Sequence, residues 1–276
     1  MSALTAYHLM DPNVQRFTGF ADIYDRYRPE LPLVIGEVLS QLAGPERPLR
    51  VVDIGSGTGL STRLWKELEA TVIGIEPSPD MRAVAARLQA IDRGQSNISF
   101  KEGTSTNTGL ANACADVVTV SQALHWMEPE PTFLEISRIL RTRGVFAAID
   151  CDWPPTIHPD LEQAFNGCMT RAEIAEAEYG VSKGVRRWSK DQHLSRIQGS
   201  GLFGFTKEIF CHSVENGDAQ RLVGLVKSQG TVASLLKHGL SEEEIGISDL
   251  RRAAERILGD RTLSWFWSYR IQIGVK

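Results

Sequence analysis

The stretch VVDIGSGTGLSTRLWKEL, residues 51–68, narrows the possible folds more than any other part of the chain. Two valines lead into Asp53, glycines alternate with other residues at 55, 57 and 59, and an apolar-periodic segment follows. This pattern predicts a strand that stops in a tight turn and opens a helix. Glycine lets a ligand approach the backbone closely, so the turn is suited to holding something.

The same unit repeats downstream. RVVDIG (50–55), TVIGIEP (71–77), ISFKEG (98–103), DVVTVSQAL (116–124) and GVFAAIDCDW (144–153) read as short, nearly continuous apolar strands. STRLWKELE (61–69), SPDMRAVAARLQAI (78–91) and EPTFLEISRIL (130–140) read as the helices between them. Such alternation predicts a parallel sheet covered on both faces. Ahead of it, Phe17, Phe20, Tyr24 and Tyr27 stand at helical spacing and Pro29 ends their stripe. PLVIGEVLSQLA (32–43) predicts a second helix, stopped by Gly44 and Pro45.

The alternation breaks after CDWPPTIHP, and residues 159–199 read as helical with mixed polarity. FGFTKEIFCHSVEN (203–216) then predicts a strand, and 218–236 and 241–258 predict two helices. LSWFWSYRIQIGV (263–275) is a final aromatic strand. Two late strands imply that the sheet resumes after an insertion, so one α/β domain is expected rather than two.

With 276 residues, the chain is near the upper limit for one core. Its 30 lysines and arginines against 34 acids leave a net charge of −4, and no global positive field recruits nucleic acid. Cys114, Cys151, Cys168 and Cys211 form no CxxC pair and share no metal-ligand spacing with histidine. Reduced thiols, a cytoplasmic location and no metal are the expectation. The first residues lack a secretory pattern, and no window of 18 apolar residues predicts a membrane span.

What the turn holds follows from its spacing. A dinucleotide fingerprint needs G-x-G-x-x-G, but position 60 is Leu60; a P-loop needs a lysine that is absent here. Glu76 ends the second strand seventeen residues after Gly59, where an acid can accept hydrogen bonds from both hydroxyls of a ribose. Capping the next helix is the alternative, and Ser78 is better placed for that. Asp53 either bonds the turn's backbone or meets the ligand, and both roles keep a buried carboxylate paired.

VVDIGSGTGLST together with VIGIEPSPDM resembles the first two motifs of class I S-adenosylmethionine-dependent methyltransferases. SQALHWM (121–127) and FADIYDRYRP (20–29) resemble the small-molecule subgroup that includes trans-aconitate methyltransferase-like proteins. The resemblance covers residues 15–155 well and the last 70 in outline. It implies a Rossmann-like α/β fold: a seven-stranded, mostly parallel sheet with helices on both faces, its final strand antiparallel, and a helical insertion after strand 5. Residues 1–44 would be N-terminal cover helices, 45–158 the cofactor core, 159–199 an acceptor-side lid, and 200–276 the last two strands with their helices.

The resemblance also implies roles. Gly55, Ser56 and Gly57 would face the methionine part of S-adenosylmethionine, and Glu76 the ribose. Pro77 and Met81 would border the adenine, whose polar edge would meet Gly103, Thr104 and Ser105. Many members place an acid where this chain has Ser105 and Thr106. Asp53, Ser121, Gln122, Ala123 and Trp126 would complete the cofactor site, with Tyr24 and Arg28 reaching it from the N-terminal helix.

The sulfonium already carries an activated methyl group, so the protein must mainly align an acceptor and exclude water. His125, at the tip of the fourth strand, is the candidate catalytic residue: either a base, or a wall and orienting group. Phe20, Trp153, Arg186 and Arg187 are candidate substrate contacts, although a solvated helical face equally accounts for the two arginines. The expected function is methyl transfer to a small-molecule carboxylate, hydroxyl, amine or carbon, by a monomer or homodimer. A non-catalytic cofactor-binding or regulatory protein is the alternative. The acidic balance and the lack of an NPPY-type segment disfavour a nucleic-acid methyltransferase.

Overall fold

Strands with no polar face must be buried on both sides, and this sheet buries them. In the computed structural model, which describes residues 11–44, 48–91 and 97–276, the first five strands run parallel. They are β1 (Arg50–Ile54), β2 (Thr71–Ile75), β3 (Ile98–Lys101), β4 (Ala115–Ser121) and β5 (Leu140–Cys151). With β6 (Phe205–Gly217) and β7 (Leu263–Val275) they form a seven-stranded sheet in the order β3-β2-β1-β4-β5-β7-β6. β7 is antiparallel to both neighbours, with Tyr269 opposite Cys151 on one side and Cys211 on the other. The expected mostly parallel sheet is therefore present.

Alternate residues of each strand feed two cores. Val51, Val117, Val145 and Ala147 pack under α3 (Leu33–Ala43) and the C-terminal helices. Val52, Val118, Phe146 and Ala148 pack under α5 (Pro129–Ile139), whose Phe133 and Ile136 are fully enclosed. Strand order reverses between β1 and β4, which opens a crevice above their carboxyl ends. α4 (Pro79–Ile91) borders that crevice beyond β2.

Several expected helices are interrupted, each for a local reason. The aromatic stripe is not one helix: Phe17 lies in the turn after α1 (Pro12–Gln15), Phe20 is the N-cap of α2 (Ala21–Tyr27), and only Tyr24 and Tyr27 are helical, because Gly19 turns the chain at φ +90°. The helix expected over 61–69 is a single 3-10 turn, Thr62–Lys66, since Ser61 and Thr62 bend inward to bond Asp53. The helix expected over 218–236 breaks at Ser228 and Gln229 into α8 (Ala219–Lys227) and α9 (Gly230–Lys237). The helix over 241–258 breaks at Gly246 into α10 (Glu242–Ile245) and α11 (Ile247–Leu258).

Residues 159–199 are only partly helical. α6 (Pro159–Glu178) is followed by irregular chain, a 3-10 turn at Lys190–Gln192 and α7 (His193–Gly199). α6 buries Leu161, Phe165, Cys168 and Ala172 in the main core, so it is a structural wall as well as an insertion. Arg186 and Arg187 lie in the irregular stretch, not on a helical face. The leader 1–10 and Pro45 lie outside the described residues. Among the described residues, no helix is long and apolar enough to cross a membrane.

Candidate active site

The crevice above β1 and β4 is a cleft with about 820 Å³ of empty space, part of it open to solvent. Four consecutive strand ends floor it: Gly55 and Gly57 after β1, Glu76 and Pro77 after β2, Gly103 to Ser105 after β3, and Ser121 to Ala123 after β4. Tyr24, Met81 and Trp126 complete the walls. Gly55 sits at φ +71°, and a Cβ there would come within 2.8 Å of the Ala123 side chain. A Cβ on Gly57 would meet nothing within 4 Å, so its absence keeps open space beside the backbone.

Two acids fix this floor. Asp53 is fully buried and accepts from Ser61 and Thr62 hydroxyls at 2.7 Å and from Thr119 at 2.9 Å. Burial raises its pKa and these three donors oppose the shift. Of the two roles open to it, Asp53 fills the structural one, through hydroxyls rather than the turn's backbone. Glu76 accepts from Gly57 N–H at 2.9 Å and from Ser78 N–H at 2.8 Å, one bond to each oxygen. Each carboxylate oxygen offers about two lone-pair sites, so Glu76 keeps capacity for two ribose hydroxyls. Burial raises its pKa, against the two backbone bonds.

The N-terminal segment lies across the crevice. Asp11, Asn13 and Val14, none singled out from sequence, line it together with Phe17 of the aromatic stripe. Asn13 donates to the carbonyls of Trp126 (2.9 Å) and Arg186 (3.0 Å) and accepts from the Arg186 N–H (2.9 Å). Asp25 of α2 accepts from Thr58 at 2.8 Å and from Arg63 at 2.9 Å, tying the cover to the glycine turn. Phe20 packs behind the crevice wall, in an apolar cluster with Met81 and Val84, and lines neither this crevice nor the next.

A second chamber of about 940 Å³ adjoins the first, and the two share Phe17, Tyr24, Gln122 and Trp126. Its far walls come from Trp153, from Phe165 and Met169 of α6, and from Gln229 and Thr231 at the break before α9. Arg28 belongs to this chamber rather than to the cofactor crevice. Its guanidinium lies 4.7 Å from the rings of both Tyr24 and Trp153 and donates to Ser228 and Gln229. Arg187 lines the chamber and sits 5.4 Å over the Trp126 ring. Arg186 is exposed and touches the assembly through its backbone. Ser56 lies in a smaller cavity of about 440 Å³, shared with Tyr24, Arg28, Gln122 and Trp153.

His125 is 5% exposed, lines the second chamber, and its Nδ1 has no partner. Burial, then the cations Lys190 and Arg187, hold its pKa well below 6.5. The imidazole is neutral at physiological pH and a weak base. Beside it, Lys190 bonds Asp150 at 2.7 Å and donates to the Gln122 carboxamide oxygen at 2.9 Å. Gln122 adopts φ +52° and its Nε2 is unpartnered, an arrangement of the kind that persists where a site over-determines it.

Residues 52–148 match the family described as a methyltransferase domain. This is the class I methyltransferase fold. Malonyl-acyl-carrier-protein O-methyltransferase of Pectobacterium atrosepticum is 35% identical over 134 residues, 48% of this chain and 50% of that protein. The chain thus spans about half the length of the curated relatives it matches. A solved structure from Anaeromyxobacter dehalogenans, provisionally described as a type II methyltransferase, superposes with a TM-score of 0.63 at 20% identity. It covers 90% of this chain and 98% of its own. The YcgJ protein of Bacillus subtilis gives 0.53 at 18% identity, over 88% of this chain and 97% of its own.

Proposed function

We propose that this protein transfers a methyl group from S-adenosylmethionine to a small-molecule acceptor and releases S-adenosylhomocysteine. One observation carries the reading: two adjoining chambers meet at Phe17, Tyr24, Gln122 and Trp126. One has the alternating-glycine floor and the ribose-ready Glu76, and the other has a separate aromatic and charged lining. The cofactor supplies the activated methyl; the acceptor's lone pair forms the new bond to carbon as the carbon–sulfur bond breaks onto sulfur.

The chain's own residues bind, orient and exclude water. Gly57 leaves room for the amino-acid part, Glu76 holds the ribose, and Pro77, Met81 and the 103–105 backbone border the adenine. Tyr24 and Gln122 stand where methyl and acceptor meet, and holding both in line supplies much of the acceleration. His125 walls the acceptor side rather than removing a proton, since burial, and then its surrounding cations, oppose protonation.

The segment 11–28 and the irregular stretch after α6 act as the acceptor-side cover, stitched together by Asn13. Titration calorimetry should show stoichiometric binding of S-adenosylhomocysteine; preference for NAD would overturn the assignment. Hydrogen exchange with that ligand should show protection in residues 16–28 or 159–199. Protection confined to another surface would remove the cover role.

A further inference from the structure

We infer that the acceptor chamber selects an anionic small molecule with a flat, apolar body, anchored by Arg28 and Arg187. The inference rests on reading that chamber as the acceptor site, and its argument is the charge left over once every pair is counted. Four cations line the chamber: Arg16, Arg28, Arg187 and Lys190. Arg16 is paired with Glu176 at 3.4 Å and Lys190 with Asp150 at 2.7 Å, which leaves those two nearly neutral. Among the described residues no carboxylate pairs with Arg28 or Arg187. The one acid in the lining, Glu173, is exposed, as is Arg187, whereas Arg28 is half-buried.

Arg28 is the more telling of the two. Its Nε and one Nη spend their hydrogen bonds on neutral acceptors, the Ser228 hydroxyl (3.1 Å), the Ser228 carbonyl (2.9 Å) and the Gln229 carboxamide (3.1 Å). Those bonds aim the guanidinium without cancelling its charge, and its faces are occupied by Tyr24 and Trp153. Burial pulls its pKa down, so the folded protein holds this charge at a cost. Only its other Nη remains to meet a ligand, and an enclosed guanidinium without a counterion is completed by an anionic oxygen of a carboxylate or phosphate.

Arg187 approaches from a different segment, over Trp126, and the buried Nε of Arg16 lacks a partner. Between these cations the walls are Phe17, Trp126, Trp153, Phe165 and Met169. An amine would meet like charge there. A neutral analogue would leave the enclosed guanidinium unpaired, the situation in which sites discriminate most sharply.

The test uses one carbon skeleton in four head groups: cinnamate, cinnamamide, cinnamyl alcohol and cinnamylamine, with hexanoate and hexanol as an aliphatic pair. Each is titrated calorimetrically into the full chain, with and without saturating S-adenosylhomocysteine. The acid of each skeleton should bind at least roughly tenfold tighter than its neutral and cationic forms. R187Q should remove most of that preference while S-adenosylhomocysteine affinity holds. R28K, which keeps charge but loses the bonds to Ser228 and Gln229 that aim it, should weaken the acids in turn.

Equal or tighter binding of the alcohol or amine would overturn the inference. So would failure of every acid to bind, or a preference that survives R187Q in a folded protein. Failure of S-adenosylhomocysteine to bind would instead sink the methyltransferase reading, while the head-group preference without it still judges the anion site.

Discussion

The two chambers are built by opposite strategies. The cofactor side is floored by the loops after β1, β2, β3 and β4, taken in order along the chain. The acceptor side draws on the end of α2, the loop after β5, the inner face of α6, an irregular stretch and the break before α9. Backbone conformation and one carboxylate define the first. Side chains brought together only by tertiary packing define the second. A point change on the cofactor side should therefore act on binding directly, whereas on the acceptor side a change at a buried, packed position should also cost stability.

The largest expected effect tests the cofactor side. Glu76→Ala removes the ionised acceptor of two ribose hydrogen bonds worth roughly 1.5–3 kcal/mol each. S-adenosylhomocysteine affinity, measured by calorimetry, should fall roughly 100-fold or more. An unchanged affinity would remove the ribose role and much of the contrast between chambers.

Lys190→Met should follow, as a loss of stability. It strands Asp150, 5% exposed, without its cation; losing one partner of a buried pair is worth about 3–5 kcal/mol. Lys190 is itself partly solvated, so a denaturant titration should show about 2–3 kcal/mol, largely restored by Lys190→Arg. Next comes Gly224→Ala. Its Cβ would come within 2.4 Å of the Tyr27 ring, where α8 meets α2. Overpacking of this kind costs roughly 1–3 kcal/mol, and hydrogen exchange in residues 21–27 should quicken with the drop in melting temperature.

The pH dependence of stability separates a further acceptor-side group. Burial lowers the His193 pKa from 6.5 to about 4. The folded state then binds fewer protons than the unfolded state between those values, so His193 contributes stability above pH 6.5 that is lost down to about pH 4. Unfolding free energy measured across that window should slope less steeply in His193→Gln. Asp53 and Glu76, whose pKa values are raised, act with the opposite sign but cancel between the two proteins. The smallest effect is expected at His125. With any acceptor that turns over, His125→Gln should slow methylation less than tenfold; a loss of roughly 10²–10⁴-fold would make it a base after all.

The same contrast explains what the sequence could tell. Strand order, the glycine floor, Glu76 and the 103–105 edge are written in short local patterns, because each is one βα loop. Asn13, Arg16, Gln229 and Thr231 carry no such pattern. They matter only because folding sets them beside Trp126 and Arg28. The long C-terminal helix was misjudged for the same reason: its apolar period runs through Ser228 and Gln229, yet Arg28 claims their oxygens from 200 residues away. Phe20 has the right residue type on the wrong side of a turn made at Gly19.

The Asn13 clasp has a consequence in time rather than space. A cofactor lying under residues 11–17 leaves by that route only after three hydrogen bonds part. At roughly 0.5–1.5 kcal/mol net each, together they would keep the roof shut for all but about 0.05–7% of the time. Residence of the spent cofactor, and with it the tempo of successive turnovers, would then depend on one asparagine carboxamide.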